Sequence, residues 1–156
     1  MNDNMTVKQY IENRLMVDYE QKELFEEAMN KLFEEFDVNK FDIYLQGFDD
    51  NTEDEELMFS VVHGIEYIVK MYGIDFYVKK LLNNLKILQP HAYQWSETLI
   101  LRLINWEDSF NVLKNELKNI DNETATLLNK IINNLILRNP EKFETKGKEL
   151  LCILRN

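Results

Sequence analysis

Four polar side chains embedded in apolar segments are the residues whose types and spacing could do chemistry. His63 and Glu66 stand three residues apart, so a helix would place an imidazole and a carboxylate side by side for proton transfer or metal binding. A di-metal helical bundle needs repeated Glu-x-x-His motifs. Here histidine precedes glutamate, so the sequence does not match a di-metal site. Glu97 and Arg102 form the second pair. Convergence of all four in one pocket would favour an enzyme, whereas separate buried pairs would be structural.

Other catalytic chemistries find no support in the sequence. The single cysteine, Cys152, lies among leucines and isoleucine, and this setting predicts a buried, unreactive thiol. The four glycines are too far apart to form a phosphate-binding loop, and no nucleophile-elbow pattern occurs. We therefore expect a protein that is not an enzyme and that carries no metal and no cofactor.

The segment around Arg102 also has the composition of a binding hot spot. A helix would align Trp95, Leu99 and Leu103 on one face, and Trp106 follows directly after it. In one interpretation this is a core helix whose Arg102 pairs with an acid on a neighbouring helix. In the other it is an aromatic and arginine anchor at a protein interface.

Acidic residues are concentrated in the first part of the chain. The formal charge is −10 overall, with net −12 over residues 1–60 and +2 over residues 61–156. The acids are densest in six positions, namely Asp49, Asp50, Glu53, Asp54, Glu55 and Glu56. They fit a solvated loop followed by a helix N-terminus, where carboxylates meet the positive end of the dipole. The alternative is a surface that attracts a basic protein partner.

Composition bounds the class of protein. At 156 residues, the length predicts a single domain over residues 1–156. The acidic balance disfavours nucleic-acid binding, because each phosphate contact normally requires a lysine or arginine. No apolar run approaches the roughly 20 residues that span a bilayer. We expect a cytoplasmic protein that does not bind membranes.

Glycine and proline together supply only six residues, which favours helices over turn-rich β-structure. The clearest helix is predicted to open at Asn51 and Thr52 and to stop at Gly73, with Tyr72 on its buried face. Others are predicted over residues 6–16, starting in a capping box, and around residues 24–36. The segment 41–45 fits a strand or a short helix.

The second half predicts successive helices over residues 74–88, 92–104, 106–117 and 123–137, and after residue 140. Asn105, then Asp121 or Asn122, then Asn139 followed by Pro140 supply the expected helix starts. Short loops between these helices force antiparallel neighbours. The predicted fold class is all-α, a multi-helix bundle or a short α-solenoid-like stack of helix pairs, with N-terminal helices over residues 6–47 and a helical core over residues 52–154.

Two segments resemble the immunity protein 30 family of bacterial polymorphic toxin systems. Residues 57–68, with His63 and Glu66, resemble an apolar helix with a His-x-x-Glu element. Residues 95–105 resemble the family's Trp-x-Glu-x-Leu and Arg-Ile-Leu-Asn segment, here Trp95, Glu97, Arg102 and Asn105, with Leu103 and Ile104 in place of the Ile-Leu order. In order along the chain, the resemblance covers about residues 45–140.

The resemblance implies a small all-α protein that binds and neutralises a cognate toxin domain and is encoded beside the toxin gene. If that toxin is a nuclease, its basic active site would suit the acidic segment. The alternative is a helical scaffold or adaptor that binds an unrelated protein or peptide. A multidomain toxin gene directly upstream would favour the immunity protein.

Overall fold

Helices account for nearly all the regular structure of residues 3–156, which the computed structural model describes, and no strand occurs among them. The helices are α1 (Asp3–Glu12), α2 (Tyr19–Glu34), α3 (Phe41–Leu45), α4 (Glu55–Glu66), α5 (Ile68–Tyr72), α6 (Ile74–Asn84), α7 (Tyr93–Asn105), α8 (Glu107–Glu116), α9 (Asn122–Arg138) and α10 (Pro140–Arg155). Short 3-10 turns occupy Val38–Lys40, Leu85–Leu88 and Leu117–Asn119. The predicted all-α class is confirmed, and residues 41–45 are helical.

Four helix pairs that are adjacent in sequence pack extensively, namely α1–α2, α5–α6, α7–α8 and α9–α10. Extensive α6–α8 packing and further α7–α9 contacts connect the last three of these pairs, and α2 contacts α4. One buried apolar cluster runs from Tyr10 to Leu151 and includes side chains from all these pairs. The organisation into one domain stays a prediction that this continuous core supports.

Several helix ends lie where local sequence signals predicted them. The Asp121 carboxylate accepts a hydrogen bond of 2.7 Å from the Thr124 amide and so begins α9. Asn139 caps α10, with Pro140 in its first turn. Gly73 ends α5 with a φ of 91°, a conformation that glycine adopts without a Cβ penalty.

The long helix predicted before Gly73 is two helices, and its predicted start was wrong. Asp54, not Asn51 or Thr52, caps α4, because its carboxylate accepts a 2.8 Å hydrogen bond from the Leu57 amide. At Tyr67, between α4 and α5, the amide bonds three residues back to Gly64, and this tight turn changes the helical phase. Tyr72, predicted to be buried, is therefore 52% exposed.

Two further caps were predicted wrongly. The first helix already includes Asp3, so Thr6 is a buried residue inside α1 and not its cap. Gln9 does not complete a capping box, because its side-chain amide donates to the Leu24 carbonyl and ties α1 to α2. Asn105 is the last residue of α7, and Trp106 occupies the N-cap position of α8.

Cys152 is exposed, contrary to the prediction of a buried thiol. Leu150 and Leu151 of α10 face the core, and Cys152 lies about 200° around the helix from Leu150 because each residue turns about 100°. In the described part of the chain, no helix is long and apolar enough to cross a membrane.

Candidate partner-binding surface

The acidic segment from Asp49 to Glu56 joins α3 to α4, and its first two carboxylates are engaged inside the protein. Asp49 is buried and forms an ion pair with Arg14, with 3.0 Å between Oδ2 and Nε. The Asp50 carboxylate accepts hydrogen bonds from the Gln94 and Trp95 amides at 3.0 and 3.3 Å. Asp50 thereby satisfies free amides at the start of α7, the role of an N-cap. The Asp50 carboxylate holds the segment against α7, and the Asp49 carboxylate holds it against the turn that follows α1.

Asp54 also has an internal role. Besides capping α4, its carboxylate lies 2.7 Å from the Lys22 ammonium of α2. The hydrogen bond from Lys22, followed by that from the Leu57 amide, holds the pKa of Asp54 below its ordinary value. The ion pair fixes the N-terminal end of α4 beside α2.

The remaining carboxylates of the segment face solvent. Glu53, Glu55 and Glu56 are exposed and form no ion pair within residues 3–156. Glu56 lines a shallow depression of about 320 Å³ together with Glu26 of α2. We call Glu26, Glu53, Glu55 and Glu56 the acidic surface. Of the six acids singled out in the sequence, three therefore remain available to a partner.

Trp95 belongs to the core. It is 7% exposed, and its indole nitrogen donates a 3.1 Å hydrogen bond to the Asp49 carbonyl. Its ring contacts those of Phe48 and Phe59 at centroid distances of 5.5 and 5.1 Å. Because the indole is satisfied internally, Trp95 positions the acidic segment and does not itself offer a free anchor.

Glu97, like Trp95, belongs to α7, and its carboxylate is buried. Its side chain is 4% exposed and forms an ion pair with Arg138 of α9. The other carboxylate oxygen, Oε2, is buried and has no hydrogen-bond partner within the described residues. Since a buried charge without its counter-charge is costly, this pair fixes α9 against α7.

Glu66 and Arg102 form a two-bonded ion pair between α4 and α7. The Arg102 Nε and Nη2 atoms donate to the two Glu66 oxygens at 3.0 and 2.7 Å. Hydrogen bonding to Glu66 raises the pKa of Arg102 above its ordinary value. The prediction that Arg102 pairs with an acid on a neighbouring helix is confirmed. Asn105 and the 46% exposed Trp106 line the same surface depression as this pair.

The four polar residues that could have formed a catalytic site lie in three separate environments. His63 is exposed on the outer side of α4, Glu66 pairs with Arg102, and Glu97 pairs with Arg138. Within residues 3–156, no group of three His, Cys, Asp or Glu residues could hold a metal ion. The structure therefore does not bring the four residues together in one site, and the two ion pairs connect neighbouring helices.

Sequence reasoning missed an aromatic depression beside His63. A depression of about 580 Å³ lies between α2 and the α4–α5 segment, and its apolar lining is Phe33, Phe36, Tyr67 and Met71. Tyr67 and Met71 are 52% and 43% exposed. Tyr67 and Met71 are four residues apart, so a helix places their side chains next to each other, and this spacing was a signal. The sequence alone does not show that they face solvent, because the turn at Tyr67 determines which side of α5 is exposed.

Comparison with known proteins supports the resemblance and changes its extent. The Immunity protein 30 family model matches residues 12–113. This span starts well before residue 45, takes in α2 and α3, and ends within α8, so that α9 and α10 lie outside it. Searches of curated proteins and of solved structures found no match to this chain. With about two-thirds of its length matched, the chain belongs to the Immunity protein 30 family, and it is an immunity protein directed against a toxin.

Proposed function

We propose that this protein neutralises a cognate bacterial toxin domain by binding it stoichiometrically in the cytoplasm, as part of a polymorphic toxin system. Membership of the Immunity protein 30 family is the observation that carries the proposal. Immunity families are in general non-catalytic. The separate ion pairs of Glu66 and Glu97, with His63 exposed to solvent, agree with action by binding.

The acidic surface is the proposed first contact with the toxin. Glu53, Glu55 and Glu56 point into solvent, and residues 1–60 carry a net charge of −12. Such a surface accelerates encounter with a basic partner and accelerates it most at low salt. If the toxin is a nuclease, its phosphate-binding cleft is basic, and these carboxylates would occupy the place of phosphates.

The test is an association-rate measurement with the toxin domain encoded beside the gene. The triple charge reversal Glu53→Lys, Glu55→Lys and Glu56→Lys should slow association at least tenfold at 20 mM salt and much less at 300 mM, because salt screens the attraction. Asp49, Asp50 and Asp54 are left intact because their side chains are bonded inside the protein. Asp49 pairs with Arg14 after α1, Asp50 caps α7, and Asp54 joins α4 to α2.

A matched control reverses three exposed acids far along the chain, namely Asp75, Asp108 and Glu141, which lie in first helical turns as Glu55 and Glu56 do. Both triple variants change the net charge equally, so only a local effect separates them. Equal rates for the two variants, with circular dichroism unchanged, would remove the acidic surface from the proposal. A wild-type protein that neither binds the toxin domain nor restores growth would refute neutralisation itself.

A further inference from the structure

A groove runs between α2 and α4 and has an acidic end and an aromatic end. At the acidic end lie Glu26 and Glu56, beside the ion pair of Lys22 with Asp54. At the aromatic end lie Phe33, Phe36, Tyr67 and Met71. Ser60 lines the first depression and Gly64, one helical turn later, lines the second, so the two depressions adjoin along α4. We call the whole feature the α2–α4 groove.

Close approach of the two helices forms the floor of the groove. A Cβ atom at Gly64 would lie 2.7 Å from the Phe33 ring, so glycine lets α2 pack directly on α4. Tyr67 and Met71 nevertheless remain about half exposed beside that ring. Large apolar side chains that share one concave surface, rimmed by polar residues, are typical of binding sites.

The charges around the groove specify the chemistry of its occupant. Glu26, Glu34 and Glu56 line it and form no ion pair within residues 3–156, whereas Asp54 is neutralised by Lys22. Two ammonium groups lie at the groove: that of Lys22 is 2.7 Å from the Asp54 carboxylate, and that of Lys70 lies 5.6 Å above the Tyr67 ring. The carboxylates of Glu26, Glu34 and Glu56 outnumber the cations left without a partner. A partner that covers these three carboxylates must supply cations, since an unpaired charge removed from water is costly.

We infer that the α2–α4 groove is the docking site for a basic amphipathic segment of the toxin domain, an inference that rests on the proposed function. Apolar side chains of the segment enter the aromatic end, and its lysines or arginines contact Glu26 and Glu56. On α4, His63 lies seven positions after Glu56, which corresponds to a rise of about 10 Å along the helix axis. A helical occupant therefore carries its apolar and basic anchors about two turns apart.

The experiment uses peptides and no toxin, so its failure is distinct from failure of neutralisation. A display library of random 16-residue peptides is selected on the wild-type protein, and each enriched peptide is titrated by fluorescence anisotropy. The groove variants are Met71→Lys and Glu56→Lys. The matched control is Leu137→Lys, which places the same charge at a 79% exposed apolar position of α9.

The expected peptides combine at least two basic residues with apolar residues at helical spacing. They should bind Met71→Lys and Glu56→Lys at least tenfold more weakly than wild type and Leu137→Lys within twofold of wild type. Three results would overturn the inference: enriched peptides that are acidic, affinities equal across all variants, or no groove-dependent peptide. Self-association of the wild type that Met71→Lys abolishes would also overturn it, because a second copy would then cover the groove.

Discussion

Removing Arg138 is the perturbation that most sharply tests how the helices outside the family match are held. Arg138 forms an ion pair with Glu97, whose side chain is only 4% exposed and whose Oε2 atom has no hydrogen-bond partner in the described structure. The Arg138→Ala variant leaves this carboxylate buried without its counter-charge. The free-energy cost of desolvating the Glu97 carboxylate is then no longer offset by attraction to Arg138.

The expected loss follows from the burial of the two partners. Breaking a fully buried ion pair by deleting one partner costs about 3–5 kcal/mol. Because the Arg138 side chain is 61% exposed, solvent screens part of the attraction, and we expect a loss of about 2–3 kcal/mol in the free energy of unfolding. The double variant Glu97→Gln, Arg138→Ala removes the charge as well and should be at least about 1 kcal/mol more stable than Arg138→Ala alone.

Urea unfolding followed by circular dichroism at pH 7 measures both quantities. Arg155→Ala is the matched control, since Arg155 is exposed on α10 and forms no ion pair within residues 3–156. The control should change stability by less than about 0.5 kcal/mol. A loss below about 0.5 kcal/mol for Arg138→Ala, or strictly additive effects in the double variant, would refute the structural role assigned to Glu97.

Three further predictions concern packing, capping and acid stability. A Cβ at Gly47 would overlap the buried Tyr10 ring, so Gly47→Ala should lower the free energy of unfolding by about 1–3 kcal/mol in urea titrations. Asp50→Ala removes the cap of α7 and should cost about 1 kcal/mol by the same assay. The amide of Thr124, with the Lys86 ammonium, lowers the pKa of Asp121 to about 2. Its stabilisation is complete above pH 4 and is lost as pH falls towards 2, so Asp121→Asn should flatten the decline in melting temperature over that interval.

Local sequence signals were sufficient where a single residue decides a helix end. Gly73, Asp121 and the Asn139-Pro140 pair each act through their own backbone or an adjacent amide, and each lies at a helix boundary. Between residues 49 and 54 many side chains can cap a helix, so the local sequence does not decide which of them caps α4. There the outcome depends on distant partners, because Lys22 pairs with Asp54.

The candidate site depended still more on tertiary contacts. The sequence indicated that Arg102 would meet an acid, but nothing local identified Glu66, thirty-six residues earlier, as that acid. Exposure of Tyr67 and Met71 follows from the turn between α4 and α5, which interrupts an otherwise unbroken helical pattern. Charge counting predicted an acidic surface, yet only the fold separates the free carboxylate of Glu56 from the internally bonded carboxylate of Asp50.

The central claim is that this protein binds and neutralises a toxin domain. The most direct measurement identifies the cognate toxin domain, sought first beside this gene, expresses it with and without this protein, and then determines the mass of the purified complex. We expect that growth is restored and that the two chains elute together at a ratio of one to one. Continued growth inhibition despite comparable expression, or separate elution of the two chains at micromolar concentration, would contradict it.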